Sequence, residues 1–491
     1  MLGLISLLVA ARTPVSIQAP KPNVVFFLVD DLGWQDTSLS FGLREKLVGR
    51  HFRTPNVEAL AKRGVQVNQA YAAAPVCTPS RVTLLSGINP ARNHITNWVY
   101  DGRDTDGPHP TITLPDWRAI GFQPGDATTL PQIFHDSGYY TVEIGKAHFG
   151  AWHTKGERPT NLGFDRSIAG SAAGNPNSYY GLDNFARKKK NPNDPPALDD
   201  IQELDAYHGK DIYLTEALTA EAVKEIHRSA EMKKPLFLWF ATYAVHAPIQ
   251  ANKKYLNHYK GMDPIEAAYA TMVESYDVAL GQLVSTLKKM GELDNTIIVF
   301  TSDNGGLSVS QRGGYPNLHN LPLRSGKGSA YEGGTRVPLV FAGPGIPAGK
   351  VLAKTFITSE DLFATMPDLA GIRANAPDGY SFKTEVTRGK DSEREQVNVW
   401  HFPHYRGGRG PGLEPFSSIR MGAFKAIFFY LDRKWELYNL ETDIGETRDL
   451  SAFNPKQLKI LADRLLLELR KMGAQFPTDP KTGQLIEPVY L

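Results

Sequence analysis

Two pairs of polar residues stand where short apolar runs stop. Asn23 to Val29 ends at Asp30-Asp31, and Thr296 to Thr301 ends at Ser302-Asp303-Asn304-Gly305-Gly306. Three carboxylates and one amide brought to a single edge would raise one another's pKa unless a cation sat among them, so a metal is the economical occupant. Oxygen donors suit a hard ion, Ca²⁺ or Mg²⁺, and the lack of clustered His or further Cys disfavours Zn²⁺. Each pair alone is also a common turn former. The third chemical segment is Cys77-Thr78-Pro79-Ser80-Arg81, holding the one cysteine of the chain. Thr78 is expected to cap a helix there, with Pro79 in its first turn, Val82, Leu84 and Leu85 on an apolar side, and Gly87 at its close. A thiol at a helix N-terminus sits where the dipole favours negative charge, so it could act as a nucleophile or lie beside a bound anion, with Arg81 one turn on. A lone free cysteine is otherwise a small buried apolar residue.

The elements that position these residues follow from patterning. Besides the two runs above, Tyr140 to Ile144 ends at Gly145-Lys146-Ala147-His148, and Leu236 to Ala241 leads to His246-Ala247-Pro248. Four such runs alternating with helical stretches, Leu214 to Met232 and Ile265 to Met290 the longest, predict a mostly parallel sheet. Ligands collect beyond the carboxyl ends of such strands, so residues hundreds apart can converge. Tyr269, Met272, Val273, Tyr276, Leu280 and Leu283 recur at helical spacing and read as core. Ala169 to Asp200, rich in Gly, Asn and Pro, is a long excursion that could overhang the site. Beyond about residue 375 the pattern changes: Phe424 to Leu431 and Lys434 to Leu440 read as antiparallel strands about Asp432-Arg433. Asn454 and Pro455 then open a helix whose face is Leu458, Leu461, Leu465, Leu469 and Met472, closed by Gly473. The expected fold is α/β. A large central, mostly parallel sheet flanked by helices occupies residues 21–375, and a smaller C-terminal antiparallel-sheet-plus-helix subdomain occupies 376–491.

Composition narrows the function. Lys and Arg number 54 against 52 Asp and Glu in 491 residues, a net charge of +2, which is too balanced for a general nucleic-acid binder. A single cysteine excludes an intrachain disulfide framework and a cysteine-rich zinc site. No apolar run reaches the roughly 20 residues of a membrane helix. Met1 to Ala11 is apolar for about the length of a signal-peptide core, so residues 1–20 read as a signal peptide cleaved near Ala11 or Ala19, and the expected location is periplasmic or secreted.

The segment CTPSR, Cys77 to Arg81, resembles the core of the type I sulfatase signature, in which the cysteine is converted to formylglycine. Gly138 to His148 is similar to the second signature of that family. His246-Ala247-Pro248, Asp303-Asn304-Gly305-Gly306, Gly326-Lys327-Gly328 and Glu332 to Pro338 are similar to its later blocks, in the family's order. The resemblance implies an alkaline-phosphatase-like fold and the hydrolysis of a sulfate monoester. It implies that Asp30, Asp31, Asp303 and Asn304 bind Ca²⁺, rather than Mg²⁺, together with the modified Cys77. Arg81 and Lys146 would hold that side chain, His148 act as its base, Lys327 and His246 grip the sulfate, and His246 or Lys327 protonate the leaving oxygen. Ala147 departs from the aromatic residue often found at its place. It also implies a formylglycine-generating maturation enzyme as a partner. Chemically, an aldehyde hydrate offers one hydroxyl to attack sulfur and a second from which His148 can take a proton, which plain cysteine lacks.

For substrate, His401, His404 and Arg406, with Tyr405 and Arg409, lie in a Gly-rich stretch before the C-terminal strands. They are the expected substrate-binding residues for a sulfated carbohydrate, and Trp98, Tyr179 and Tyr180 are candidate stacking residues. Two alternatives stay open: a phosphate mono- or diester hydrolase of the same superfamily, and a non-catalytic glycan-binding relative.

Overall fold

The computed structural model describes residues 20–42, 51–104, 106, 109–188, 191, 195, 197–313, 315, 317–405 and 410–490. The expected signal peptide falls, but for Pro20, outside the described residues. Arg406 and Arg409 also lie outside them. Among the described residues no helix is long and apolar enough to cross a membrane.

Among the described residues twelve strands form two sheets: β1 Asn23–Val29, β2 Val65–Tyr71, β3 Tyr140–Gly145, β4 Arg166–Ile168, β5 Leu236–Thr242, β6 Thr296–Ser302, β7 Arg336–Ala342, β8 Lys350–Thr358, β9 Val397–Phe402, β10 Phe416–Met421, β11 Phe424–Phe429 and β12 Lys434–Asn439. The large sheet has the order β4-β3-β5-β1-β6-β7-β2-β8. Only β7 runs against its neighbours; every other pairing is parallel. β1, β5 and β6 lie at its centre with every residue buried, as continuous apolar runs in a doubly covered parallel sheet require.

Alternation along β1 divides the core. Val25, Phe27 and Val29 join one hydrophobic layer with Tyr269, Met272, Tyr276 and Leu280 of the Pro264–Lys289 helix. Val24, Phe26 and Leu28 join the opposite layer with Val82, Leu84 and Leu85 of the Cys77–Ser86 helix. The Pro264–Lys289 helix starts one residue earlier than its apolar stripe suggests, because Asp263 Oδ1 accepts from the amides of Ile265 and Glu266 at 3.0 Å each; carboxylate capping offsets orphaned donors.

The second sheet is antiparallel, β12-β11-β10-β9, and packs its apolar side on Leu458, Leu461, Leu465 and Leu469 of the Pro455–Met472 helix. Asn454 caps that helix by accepting from Gln457 N at 3.3 Å. Tyr71, Val76, Trp400, Phe416 and Phe429 form a further apolar layer between the two sheets.

Candidate active site

Strand register assembles the site. Val29 of β1 lies opposite Thr242 of β5 and Ser302 of β6, and Gly145 of β3 lies opposite Ala241. The chain therefore leaves the sheet at one level with Asp30, Lys146 and Asp303, at the carboxyl ends where α/β sheets bind ligands. Asp31 turns away in the left-handed region, φ 59°, with its amide donating to Asp303 Oδ1 at 3.1 Å. His148 has a similar backbone, φ 53°, tied by its amide to Ser171 O at 2.9 Å. Positive φ at two non-glycine residues is strain of the kind that clusters at functional sites.

Cys77 is the first residue of its helix, after the extended Val76. Thr78 is thus inside the first turn and does not cap it; its Oγ1 accepts instead from Val99 N at 3.2 Å. The helix is buried on every side, Arg81 included, so the expected apolar face gives way to burial all round. Cys77 Sγ lies 3.7 Å from Asp30 Oδ1 and 3.9 Å from Asp31 Oδ1. Burial, reinforced by Asp30 and Asp303 against Lys146 and Lys327, pushes the thiol up to about 11. At neutral pH it is a protonated thiol and a weak nucleophile.

Three cations sit among the three carboxylates. Lys146 Nζ donates to Asp30 Oδ1 and Oδ2 at 2.9 and 2.7 Å. Arg81 Nε donates to Asp303 Oδ2 at 2.7 Å, and its guanidinium also meets Lys146 O. Lys327 Nζ stands 2.7 Å from Asp31 Oδ1, with His246 Nε2 3.5 Å from Asp31 Oδ2. The carboxyls respond differently. Burial lifts Asp30 to about 8, against the pull of Lys146, with Asp303 and Asp31 adding to the rise. Asp31 goes the other way: although burial raises it, Lys327 and His246 outweigh that and hold it low.

Asn304 bears on a metal. Its Nδ2 donates to Asp31 Oδ1 at 2.8 Å and Gly305 O at 2.9 Å, which fixes the amide orientation and leaves Oδ1 buried with no partner. A buried acceptor that meets no donor is costly, and a cation would satisfy it. Asp30, Cys77 and Asp303 offer ligand atoms within 4.8 Å of one another, as do Asp31, Cys77 and His246. The donor set fits a metal ion, with oxygen predominating.

The histidines are set by carbonyls. His148 Nε2 is 2.9 Å from Val99 O; a carbonyl only accepts, so Nε2 carries the proton and Nδ1, buried and without a partner, keeps its lone pair. Burial first, then Lys146, holds the ring well below the usual histidine range, so it is neutral. His246 Nδ1 lies 2.7 Å from Ala247 O, and burial with Lys327 lowers its pKa to about 3.

A cavity of about 380 Å³ opens over this cluster, lined by Cys77, His148, His246 and Lys327 at the chemistry and by Trp98, Tyr100, Gly174, Asn175 and Asp199 away from it. Arg81 and Lys146 are fully buried behind it. Of the expected substrate-binding residues, Trp98 reaches the cavity wall and the others described do not. His401 is buried with Nδ1 2.7 Å from Ser417 Oγ and Nε2 2.8 Å from Gln475 O; it is a satisfied core histidine. His404 is fully buried, with Nε2 2.7 Å from Thr96 Oγ1 and Nδ1 against Asp106, so it braces the loop bearing Trp98 from behind. Tyr179 is also buried, its hydroxyl donating to Tyr243 O and His246 O at 2.7 and 2.8 Å. Tyr180 OH is engaged by Ala251 O at 2.9 Å. Gly174, Asn175 and Asp199 come from the long excursion, whose length was the only sequence signal for them; Tyr100 carried none.

The sulfatase family model matches residues 22–372, and the C-terminal model of N-sulphoglucosamine sulphohydrolase matches residues 326–475. The chain belongs to the sulfatase family and is a sulfuric ester hydrolase. N-acetylgalactosamine-6-sulfatase of Canis lupus familiaris is 29% identical over 449 residues, covering 88% of this chain and 77% of that protein. A sulfatase of Formosa agariphila is 30% identical, covering 92% and 89%. The crystal structure of Ps i-CgsB in complex with k-i-k-neocarrahexaose matches with TM-score 0.74 and 29% identity, over 92% of this chain and 93% of that one.

Proposed function

We propose that the chain hydrolyses a sulfate monoester carried on a carbohydrate, with Cys77 matured to formylglycine and Ca²⁺ held by Asp30, Asp31, Asp303 and Asn304. The observation that carries this reading is the set of buried Arg81 and Lys146 and part-buried Lys327 around Cys77 under a cavity large enough for a sugar. The carbohydrate is supported by the names of similar proteins, N-acetylgalactosamine-6-sulfatase among them, and by the neocarrahexaose bound to Ps i-CgsB. Export to the periplasm or medium and a maturation enzyme acting on Cys77 belong to the same proposal.

The orphaned Asn304 Oδ1 and the raised Asp30 support a cation at the carboxylates. Bound there, the ion supplies positive charge that offsets the charge growing on sulfate oxygens. Formylglycine, as its hydrate, supplies the hydroxyl nucleophile that a protonated thiol at about 11 does not. The residues of the chain do the rest. Lys327 holds the ester's sulfate oxygens and Lys146 and Arg81 orient the Cys77-derived group. His148 Nδ1, with its lone pair free, accepts a proton. Lys327 hands a proton to the departing alcohol oxygen, since His246, lowered to about 3, is neutral and has no proton of that kind to give.

The test combines turnover and mass. Purified protein co-expressed with a maturation enzyme should hydrolyse nitrophenyl sulfate and a hexosamine 6-sulfate far faster than nitrophenyl phosphate. The peptide bearing Cys77 should be lighter than its thiol form, sulfur having been replaced by an aldehyde oxygen, and Cys77→Ala should lose about 10³-fold or more in kcat. Chelation should abolish activity and Ca²⁺ restore it better than Mg²⁺. Full turnover by a purely thiol form would overturn the reading.

A further inference from the structure

We infer that Asp199 selects a singly sulfated, otherwise uncharged sugar by accepting hydrogen bonds from its hydroxyl or amide groups and repelling a second anionic substituent. The inference rests on the carbohydrate sulfatase reading above. Among the described residues lining the cavity, Lys327 is the one cation and Asp199 the one carboxylate. The sulfate therefore has a cationic seat, and the wall contributed by Asp199 is anionic.

Asp199 is built into that wall. Its neighbour Asp200 is buried and takes three donors, Ala197 N at 2.7 Å, Arg187 N at 2.8 Å and Asn177 Nδ2 at 2.8 Å. Asn177 N returns a bond to Asp199 O at 3.1 Å, and Ile201 and Leu204 anchor the following turn in the core. The backbone is thus fixed, and no side-chain hydrogen bond to the Asp199 carboxylate is present among the described residues; burial and then Asp200, against Lys146, lift its pKa to about 6, so it is ionised at neutral pH. A fixed, partly buried acceptor with no protein partner gains most from a ligand that donates to it. Nearby, burial and then the Asp199 charge keep the Tyr100 phenol above its ordinary pKa, so Tyr100 and Asp199 share one side of the cavity. With Trp98 they make an aromatic wall beside an acceptor, an arrangement suited to a sugar's apolar face and hydroxyl edge. A second sulfate or a carboxylate brought to the same wall meets like charge at short range; the cavity lining there supplies no cation, and Lys146 acts on Asp199 only from its buried place behind the site.

Isothermal titration and kcat/KM should be measured with N-acetylgalactosamine 6-sulfate and its 4,6-disulfate, on the matured enzyme and on Asp199→Asn and Asp199→Glu. The wild type should prefer the monosulfate by about tenfold or more in both Kd and kcat/KM. Asp199→Asn should erase the preference, chiefly by gaining on the disulfate, and Asp199→Glu should keep its sign. Equal preference in wild type and Asp199→Asn, or no binding of either sugar, overturns the inference. Selective binding without hydrolysis would instead sink the catalytic reading and leave this one standing.

Discussion

At the scale of single residues, the base is positioned by what surrounds it. Gly174 lies against the His148 imidazole: a Cβ there would stand 2.9 Å from Cε1 and 3.3 Å from Nε2. The ring cannot retreat freely, because Nε2 is held by Val99 O and the backbone by Ser171 O. Gly174→Ala should therefore tilt the imidazole and lower kcat about tenfold or more, while the melting temperature moves by only a few degrees. Unaltered kcat in a folded Gly174→Ala protein would mean that ring placement does not matter to turnover. Asp30, Asp31, Lys146, His148, His246, Asp303 and Asn304 are legible because each follows a strand-like run, Cys77 and Arg81 because a helix start is written around them, and Lys327 only through the family blocks. Tyr100, Gly174 and Asp199 were not, since nothing in a loop's composition says which side chain faces inward. His401 and His404 show the converse. A histidine beside a glycine-rich stretch suggested a ligand contact, yet burial with both ring nitrogens bonded makes each a joint of the fold.

Among the elements, burial alone does not make a strand legible: β7 is buried throughout and β2 nearly so, yet Arg336 and Pro338 in the first and Gln66, Asn68 and Gln69 in the second break the apolar run. β1, β5 and β6 are near-continuous apolar runs and β3 alternates Tyr140, Val142 and Ile144 with Thr141 and Glu143, and the sequence pattern places all four within a residue or so of their bounds. β8 went unread because its first half is largely exposed and mixed, and β4 because it has three residues. β9 and β10 are buried but interleave Ser, Asn, His and Arg with apolar residues, so no simple alternation marks them. The end of β3 shows how an element delivers chemistry. Gly145 has φ +101°, and a Cβ on it would lie 1.9 Å from Ala241 O of β5. Any side chain would part the two strands at the point where Lys146 leaves the sheet. Gly145→Ala is expected to cost about 2 kcal/mol or more in urea unfolding. It should also lower activity by more than the Gly174 change does, since the Lys146 ammonium would lose its bonds to both Asp30 oxygens. Wild-type stability together with wild-type kcat would show that the β3–β5 contact is not what sets Lys146.

Across the whole molecule, buried polar joints tie the C-terminal sheet to the large one. Lys425 of β11 reaches Glu332 at 3.1 Å and Glu446 at 2.9 Å, Tyr71 of β2 donates to Glu332 at 2.6 Å, and Trp400 Nε1 donates to Ala72 O at 2.9 Å. None of these pairings is readable from spacing, because the partners lie dozens to hundreds of residues apart. A second joint runs through Asn89, whose Nδ2 donates to Glu360 Oε1 at 2.7 Å and, at 3.3 Å, to Val399 O of β9. Glu360 is buried, and burial lifts its carboxyl from 4.5 to about 7. The folded chain thus keeps this proton where the unfolded chain releases it, and stability is full below about pH 4.5 and declines as pH rises toward 7. At about 1.4 kcal/mol per pH unit the group's own contribution amounts to at most about 3 kcal/mol. Glu360→Gln keeps the acceptor for Asn89 and removes the titration. The stability difference between mutant and wild type, taken from urea unfolding, should therefore shift in favour of the mutant from pH 5 to pH 8. A difference that stays constant across that range would mean that Glu360 is already ionised in the folded protein, with the joint between the two sheets carrying a charge that neither Asn89 nor its neighbours neutralise.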